Sequence, residues 1–365
     1  MSRILLRLCL LFVCSVGAGS SLAQPAAEPI TAHNLSRLQS VAYIDLTLLQ
    51  DEIGIVTNGW LALSPDGARM ALFNEANEIV VLTADGTLID RYAVLDADGL
   101  AASPIDAVFD PAGTKLATLH AAGAIYGVNL RDLTTTPPTS IQHEEALDAW
   151  VIPVALWFGA DEHSLWTELV GMCPDAVAAP AWAVNLNVDL SLHYAYSPVE
   201  CDLNAVVRLG RITPPYAVTV SSTGDLTLFD LQRQTRLTAV PGVPAANIGH
   251  LDPTGRYLAW RATDSGDLHR LDFQAEEDRL IAAPGAGYIQ ALFVGNQGDV
   301  IVAVDIDFQP VVVAWEVASG GRVDLGEYRA CGRSPDAIRM SRDGTTIAIG
   351  CAAGVEIWCI QSEEA

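Results

Sequence analysis

A turn signal of one kind recurs along this chain at intervals close to 46 residues, and this periodicity limits the possible folds more than any other feature. Each turn signal ends in a glycine. These glycines are 46 residues apart from Gly67 to Gly113, 43 from Gly255 to Gly298, and 46 from Gly298 to Gly344. Glycine suits a tight hairpin because it accepts a positive φ. The 142 residues from Gly113 to Gly255 make three periods, so two further turns are expected between them.

Two weaker turn signals fall in that gap, at residues 159–162 and 211–214, and they bring the count to seven units. Apolar runs around each turn have strand length rather than helix length, as at residues 105–109 and 115–119. A third apolar run follows in each unit, and a fourth run is more polar. Four antiparallel strands that grade from apolar to polar make one blade of a β-propeller, in which neighbouring blades cover the inner strands. The predicted fold is therefore all-β, a seven-bladed β-propeller.

The seventh unit reaches only its third apolar run, at residues 355–360, before the chain ends. A sheet without its outer strand would expose an edge that favours aggregation. The apolar run at residues 41–46 lies before the first full unit and can supply the missing strand. We therefore expect an N-terminal strand at about residues 41–47 to pair with the last strand, complete the last blade and close the ring.

The first 23 residues have the features of a secretory signal peptide. Arg3 and Arg7 precede an apolar stretch at residues 8–13, and a small-x-small cleavage pattern ends at Ala23. No later segment reaches the roughly 18 uncharged apolar residues of a spanning helix, so we expect no membrane span. The predicted organisation is a signal peptide (1–23), a leader (24–40) and one propeller domain (41–365), with the protein secreted or periplasmic.

Acidic residues dominate the charge balance, with 44 Asp and Glu against 20 Lys and Arg and a formal net charge of -24. Nucleic-acid binding needs clustered cations that replace phosphate counterions, so we expect no nucleic-acid partner. The acidity serves solubility alone, or it attracts cations or a basic partner. We expect the protein to be a monomer.

Five cysteines follow the predicted signal peptide, and none has the paired CxxC spacing of a zinc site. In a blade with alternating strand directions, the loop between the second and third strands opens on the same face as the loop to the next blade. This topology predicts disulfides between Cys173 and Cys201 and between Cys331 and Cys351, each stabilising by roughly 3 kcal/mol. Cys359 would stay a thiol near the opposite face. The alternative is that all five are buried thiols.

Two pairs of acidic residues lie in loops that should open on one face, Asp96 with Asp98 and Asp305 with Asp307. Their carboxylates suit a hard cation such as calcium, although neither pair has the ligand run of a known calcium loop. Solvated turn acids are the simpler interpretation. We therefore assign no metal ligand.

A second group near that face combines histidine, acidic and aromatic residues, namely His120, His143, Glu144, Glu145, Asp148 and Trp150. Such a group resembles an acid/base site at a propeller channel, but ordinary loop chemistry is the simpler interpretation. Trp150, Tyr288 and Tyr328 precede predicted inner strands, where they anchor a ligand or stabilise the packing. The sequence shows no catalytic triad spacing, phosphate-binding loop or EF-hand, so no catalytic residue is assigned.

The segments 64–67 and 341–344, with a third strand at residues 355–358, resemble the blades of WD-repeat propellers. The segment 30–46 is similar to the lead-in of bacterial WD-repeat proteins. The Trp-Asp pair that ends a WD repeat is replaced, as at Phe229 and Asp230. The chain is therefore also similar to the looser YVTN and TolB-like propellers.

The resemblance implies an exported scaffold that binds a protein or peptide through its loop-bearing face. The alternative is a propeller enzyme of the lactonase-like hydrolase type, since similar seven-bladed propellers use acidic residues and a divalent metal at the central channel. We expect the non-enzymatic scaffold, with calcium as its one candidate cofactor. The expected binding face holds Asp96, Asp98, Glu144, Glu145, Asp148, Trp150, Tyr288, Asp305, Asp307 and Tyr328.

Overall fold

The structure is a computed structural model of the chain, which has 365 residues. Antiparallel strands dominate it and assign the chain to the all-β class. The structure describes residues 28–96, 98–122, 125–146, 151–158, 164–171, 181–187, 192–196, 208–213, 216–220, 225–230, 233, 235–241, 246–252, 254–262, 265–282, 289–295, 297–305, 311–328, 335, 337–341 and 343–361.

Within this part of the chain, the strands form seven four-stranded antiparallel sheets. The first strand, β1 (Leu38–Asp45), belongs to the last sheet, and sheets 1 to 6 each use four consecutive strands. Sheet 1 contains β2 (Val56–Leu63), β3 (Arg69–Asn74), β4 (Glu78–Thr83) and β5 (Leu88–Ala93). Sheet 2 contains β6 (Ser103–Phe109), β7 (Lys115–Ala122), β8 (Ile125–Asp132) and β9 (Thr139–Ala146). Sheet 3 contains β10 (Val151–Phe158), β11 (Ser164–Gly171), β12 (Ala181–Asn187) and β13 (Leu192–Tyr196).

The second half of the chain repeats this arrangement. Sheet 4 contains β14 (Arg208–Thr213), β15 (Tyr216–Val220), β16 (Leu226–Asp230) and β17 (Thr235–Val240). Sheet 5 contains β18 (Ala246–Leu251), β19 (Tyr257–Ala262), β20 (Leu268–Asp272) and β21 (Glu277–Ala282). Sheet 6 contains β22 (Ile289–Val294), β23 (Val300–Asp305), β24 (Val311–Glu316) and β25 (Arg322–Glu327). Sheet 7 contains β26 (Ala337–Met340), β27 (Thr346–Cys351), β28 (Gly354–Ile360) and β1.

Short helical turns flank β1. A 3₁₀ turn, Leu35–Arg37, precedes it. A second 3₁₀ turn, Leu46–Leu49, leads into the α-helix α1 (Gln50–Ile53). In the described part of the chain, no helix has the length and the apolar character needed to cross a membrane.

Strand β1 completes sheet 7 by pairing antiparallel with β28, from Leu38 opposite Ile360 to Asp45 opposite Gly354. The predicted pairing of an N-terminal strand with the last strand is therefore confirmed. The strand begins before the expected residue 41 because Leu38 is already buried in the apolar core. It ends before Leu46, which belongs to the 3₁₀ turn.

Three residues of the turn expected at 211–214 belong to a strand instead. Arg211, Ile212 and Thr213 are part of β14, and Thr213 pairs with Tyr216 in β15. Ile and Thr are β-branched residues that favour strands, which accounts for the extension of β14 to Thr213. The other weak signal, residues 159–162, falls between β10 and β11 and outside the described residues.

Buried apolar clusters join six successive pairs of sheets within the described residues. Each cluster draws side chains from two neighbouring sheets, so the sheets pack face to face. This arrangement is compatible with a β-propeller. The pairs are sheets 7 and 1 (Ile44, Met70), 1 and 2 (Phe73, Phe109), 2 and 3 (Leu119, Leu156), 4 and 5 (Leu228, Trp260), 5 and 6 (Leu268, Trp315), and 6 and 7 (Val312, Trp358).

Turn glycines provide a further contact between sheets. Gly67, between β2 and β3, has a φ of 68°, in the left-handed region that favours glycine. A Cβ atom there would lie 2.6 Å from Oγ1 of Thr346 in sheet 7. The backbone and the neighbouring sheet thus both require glycine at this turn.

The residues before β1 pack across the turns of sheets 6 and 7. Ile30 is buried, and its N–H donates to the Gly344 carbonyl at 2.9 Å. The Ala32 N–H donates to Oδ2 of Asp299 at 2.9 Å. This part of the predicted leader therefore ties the last two sheets together.

Replacement of Gly67 by alanine should lower the free energy of unfolding more than Gly99→Ala does. Both glycines have a positive φ, 68° and 77°, so each alanine incurs a left-handed backbone cost of about 1–2 kcal/mol. Only at Gly67 does the new Cβ also meet a neighbouring sheet, since no described atom lies within 4 Å of it at Gly99. Urea unfolding measures the difference. A Gly67→Ala, Thr346→Ala double variant should recover part of the loss, and equal losses at both glycines would contradict the packing of sheet 1 on sheet 7.

Candidate functional site

The loops between sheets leave from one common end of each sheet. In sheet 1, Val56 at the start of β2 lies opposite Asn74 at the end of β3, and Glu78 lies opposite Ala93. The first and third strands therefore begin where the second and fourth strands end, and we call this the upper end of a sheet. Residues 94–102, which hold two of the predicted acids, link the upper ends of sheets 1 and 2.

Residues 94–102, the linking loop, form a hairpin held by its backbone and by one carboxylate. Leu95 and Ala101 form an isolated bridge, and the Asp96 N–H donates to the Leu100 carbonyl at 2.8 Å. Oδ1 of Asp96 accepts from the N–H groups of Asp98 and Leu100, at 3.1 and 2.7 Å. Asp96 therefore maintains the shape of the loop, whereas the side chain of Asp98 is exposed.

Beside this loop, a histidine and a glutamate meet over a glycine in sheet 2. His120 lies opposite Gly127, and Gly127 lies opposite Glu144, so the three residues share one face of β7, β8 and β9. A Cβ at residue 127 would lie 2.3 Å from Nε2 of His120, so only glycine leaves room for the imidazole. His120 is 1% exposed, and its Nε2 lies 3.6 Å from Oε1 of Glu144.

The electrostatics of His120 are dominated by its burial. Loss of hydration lowers the pKa of the imidazole below its ordinary value of 6.5, because the charged form is penalised in the interior. The carboxylates of Glu144 and Asp96 act in the opposite direction without reversing it. His120 is therefore uncharged at neutral pH and does not offset the acidic groups beside it.

Gln142 connects this group to the linking loop. Its Nε2 donates to the Leu95 carbonyl at 3.0 Å and to Oε1 of Glu144 at 2.6 Å. These bonds hold the loop beside β9. Both ring nitrogens of His120 are buried and have no hydrogen-bond partner among the described residues. Burial therefore closes both nitrogens to a substrate in this conformation.

Two residues of the predicted binding face are buried. Asp305, at the end of β23, is 5% exposed, and its Oδ2 lies 3.2 Å from Nη2 of Arg322. Tyr328 follows β25 and packs in the apolar cluster of Val312 and Trp358. Both side chains therefore contribute to the packing of the sheets. The sequence placed Asp305 in a loop and Tyr328 before an inner strand, and it did not indicate which neighbour covers either side chain.

The predicted disulfides stay predictions. Cys351 lies at the end of β27, at the upper end of sheet 7, and its Sγ is 3.7 Å from the Gly354 carbonyl oxygen. Cys359 is buried near the opposite end of the same sheet, where it lies opposite Thr346. Outside the described residues lie Asp148, Trp150, Tyr288, Asp307, Cys173, Cys201 and Cys331, together with the side chains of His143 and Glu145.

Sequence reasoning missed a set of exposed apolar side chains around the linking loop. Ile55, Leu95, Leu100 and Ile125 have 49%, 42%, 65% and 38% of their surface exposed. All four lie at the upper ends of sheets 1 and 2, and we call them the upper patch. A signal was present, since two leucines flank the acidic loop residues where a solvated turn needs no large apolar side chain.

The described residues place no metal-binding cluster at the upper patch, and a cleft that they form lies elsewhere. Among the described residues, no group of three or more His, Cys, Asp and Glu side chains is placed to hold a metal ion. A cleft of about 400 Å³ opens at the opposite end of sheets 4 and 5, between Tyr216, Leu237, Arg256 and Phe273. Nη2 of Arg256 is bound there by Asp272 at 2.9 Å. The cleft contains none of the predicted site residues.

No protein family matches this sequence, and the comparison with curated proteins found none that is significantly similar. The geometry defines an all-β chain of packed four-stranded antiparallel sheets. The exposed side chains of the loops are therefore the basis for the proposed function.

The buried imidazole predicts a pH dependence of stability. Because the pKa of His120 is lower in the folded protein than in the unfolded chain, the unfolded chain binds a proton first as the pH falls below 6.5. This contribution to stability is complete above pH 6.5 and is lost as the pH falls toward the pKa of the folded state. His120→Gln should flatten the dependence of the unfolding free energy on pH below 6.5. Equal slopes in the unchanged protein and in His120→Gln would contradict the assignment.

Proposed function

We propose that this chain is an exported seven-bladed β-propeller of the WD-repeat-like kind. Six packed junctions and the pairing of β1 with β28 support a closed ring, in which the step from sheet 3 to sheet 4 is the remaining junction. Export follows from the signal-like N-terminal segment, and an oxidising compartment would permit the two predicted disulfides.

The proposed function is that of a scaffold that binds a protein or peptide at the upper ends of sheets 1 and 2. The observation that carries this proposal is the exposure of the upper patch, since grouped apolar side chains on a protein surface mark interaction sites. The loop that bears Leu95 and Leu100 is held by the hydrogen bond from Gln142 and by its own bridge. A preorganised surface binds with a smaller entropic cost than a loose one.

The test is a pull-down from the extracytoplasmic fraction with the purified protein as bait. A Leu95→Ser, Leu100→Ser variant should capture its partners about tenfold less well, because two exposed anchors are removed. The control is a Leu280→Ser, Val323→Ser variant, since these side chains are 54% and 39% exposed on the outer strands β21 and β25. Retention of every partner by the first variant would refute the proposed surface.

A further inference from the structure

The upper patch is bordered by acidic side chains that have no partner of their own. Glu52, Glu75 and Asp98 are exposed, and none of their carboxylates makes a hydrogen bond or ion pair with another described residue. Glu75 lies beside Ile55, since its N–H donates to the Ile55 carbonyl at 2.8 Å. Glu52 precedes Ile55 by three residues, and Asp98 lies between Leu95 and Leu100 in the linking loop. The patch therefore combines apolar anchors with uncompensated negative charge.

Positive charge is scarce at this end of the molecule. In the described segments 50–55, 74–78, 91–102 and 125–127, the only Lys or Arg is Arg91. Its Nη2 lies 2.6 Å from Oε2 of Glu78, and its Nη1 donates to the Glu52 carbonyl at 2.7 Å. Arg91 is thus already engaged and leaves the exposed carboxylates available.

Two partly buried carboxylates at the loop add to the negative field. Glu144 and Asp96 lie near His120, whose imidazole is closed to solvent. Because this imidazole is uncharged, it adds no positive charge beside the loop. A second copy of this acidic chain or an anionic partner would meet like charge here, whereas a cationic one would be attracted and steered toward the patch.

We propose that the partner is a cationic amphipathic peptide segment. Its apolar side chains contact Ile55, Leu95, Leu100 and Ile125, and its Lys or Arg side chains pair with Glu52, Glu75 and Asp98. The inference rests on the proposed function and specifies the chemistry of its partner. Because exposed ion pairs are individually weak, apolar contact supplies most of the affinity. The carboxylates favour a positively charged partner over a negatively charged one.

The probe is a synthetic amphipathic peptide of leucine and lysine, compared with an otherwise identical peptide in which glutamate replaces each lysine. Binding is measured by fluorescence anisotropy at low and at physiological ionic strength. The lysine peptide should bind and weaken with salt, while the glutamate peptide should not bind. A Glu52→Gln, Glu75→Gln, Asp98→Asn variant should bind the lysine peptide about tenfold less tightly, as expected for the loss of three surface pairs.

The matched control is Glu276→Gln, Glu277→Gln, Glu327→Gln, which removes the same net charge from exposed positions elsewhere. It should leave the affinity unchanged. Equal weakening by both triple variants, or binding of the glutamate peptide, would overturn the inference, because the attraction would then be non-specific. If the lysine peptide does not bind but Leu95→Ser, Leu100→Ser still loses the native partners, the scaffold stands and the cationic partner is wrong. If the Leu95→Ser, Leu100→Ser variant keeps its native partners, the proposed binding surface is wrong, and the inference that rests on it is wrong as well.

Discussion

Both faces of central strands such as β3 and β23 are apolar, and for this reason their sheets need a neighbour on each side. In β3, Met70 and Leu72 pack toward sheet 7, while Ala71 and Phe73 pack toward sheet 2. The strand β23 is buried along its whole length by the same alternation. An isolated sheet would leave both of these faces in water, at a cost of about 25 cal/mol per Å² of apolar surface. The sheets are thus stable only as a packed series, as in other repeat folds.

The ends of the series are joined by the N-terminal part of the chain. Strand β1 pairs with β28, so the outer edge of the last three-stranded unit is covered by hydrogen bonds instead of being left open. The preceding residues add to this, since Ile30 is buried and bonded to the turn at Gly344. Gly67 then packs on Thr346 and brings sheet 1 against sheet 7. Sheets 6, 7 and 1 consequently depend on one another although they lie at opposite ends of the sequence.

This packing leaves the linking loops at the upper ends outside the core. Val94 and Ala102 are buried at the base of the loop between sheets 1 and 2, while Leu95 and Leu100 project from it. The loop is held by contacts to β9, so its exposed side chains keep a defined arrangement. The paired strands therefore stabilise the fold, whereas the loops form a separate surface of apolar and acidic side chains that can contact a partner.

Local sequence patterns by themselves determined the strands, the turn glycines, the seven units and the need for an N-terminal partner strand, because strand alternation and hairpin geometry are short-range properties. Only the tertiary structure decided which neighbour covers each face. Asp305 and Tyr328 are buried through the packing of the sheets. His120, Gly127 and Glu144 meet through the register of the consecutive strands β7, β8 and β9. Alternation predicts that residues share a face of their own strand, but it cannot predict the register or the neighbouring sheet.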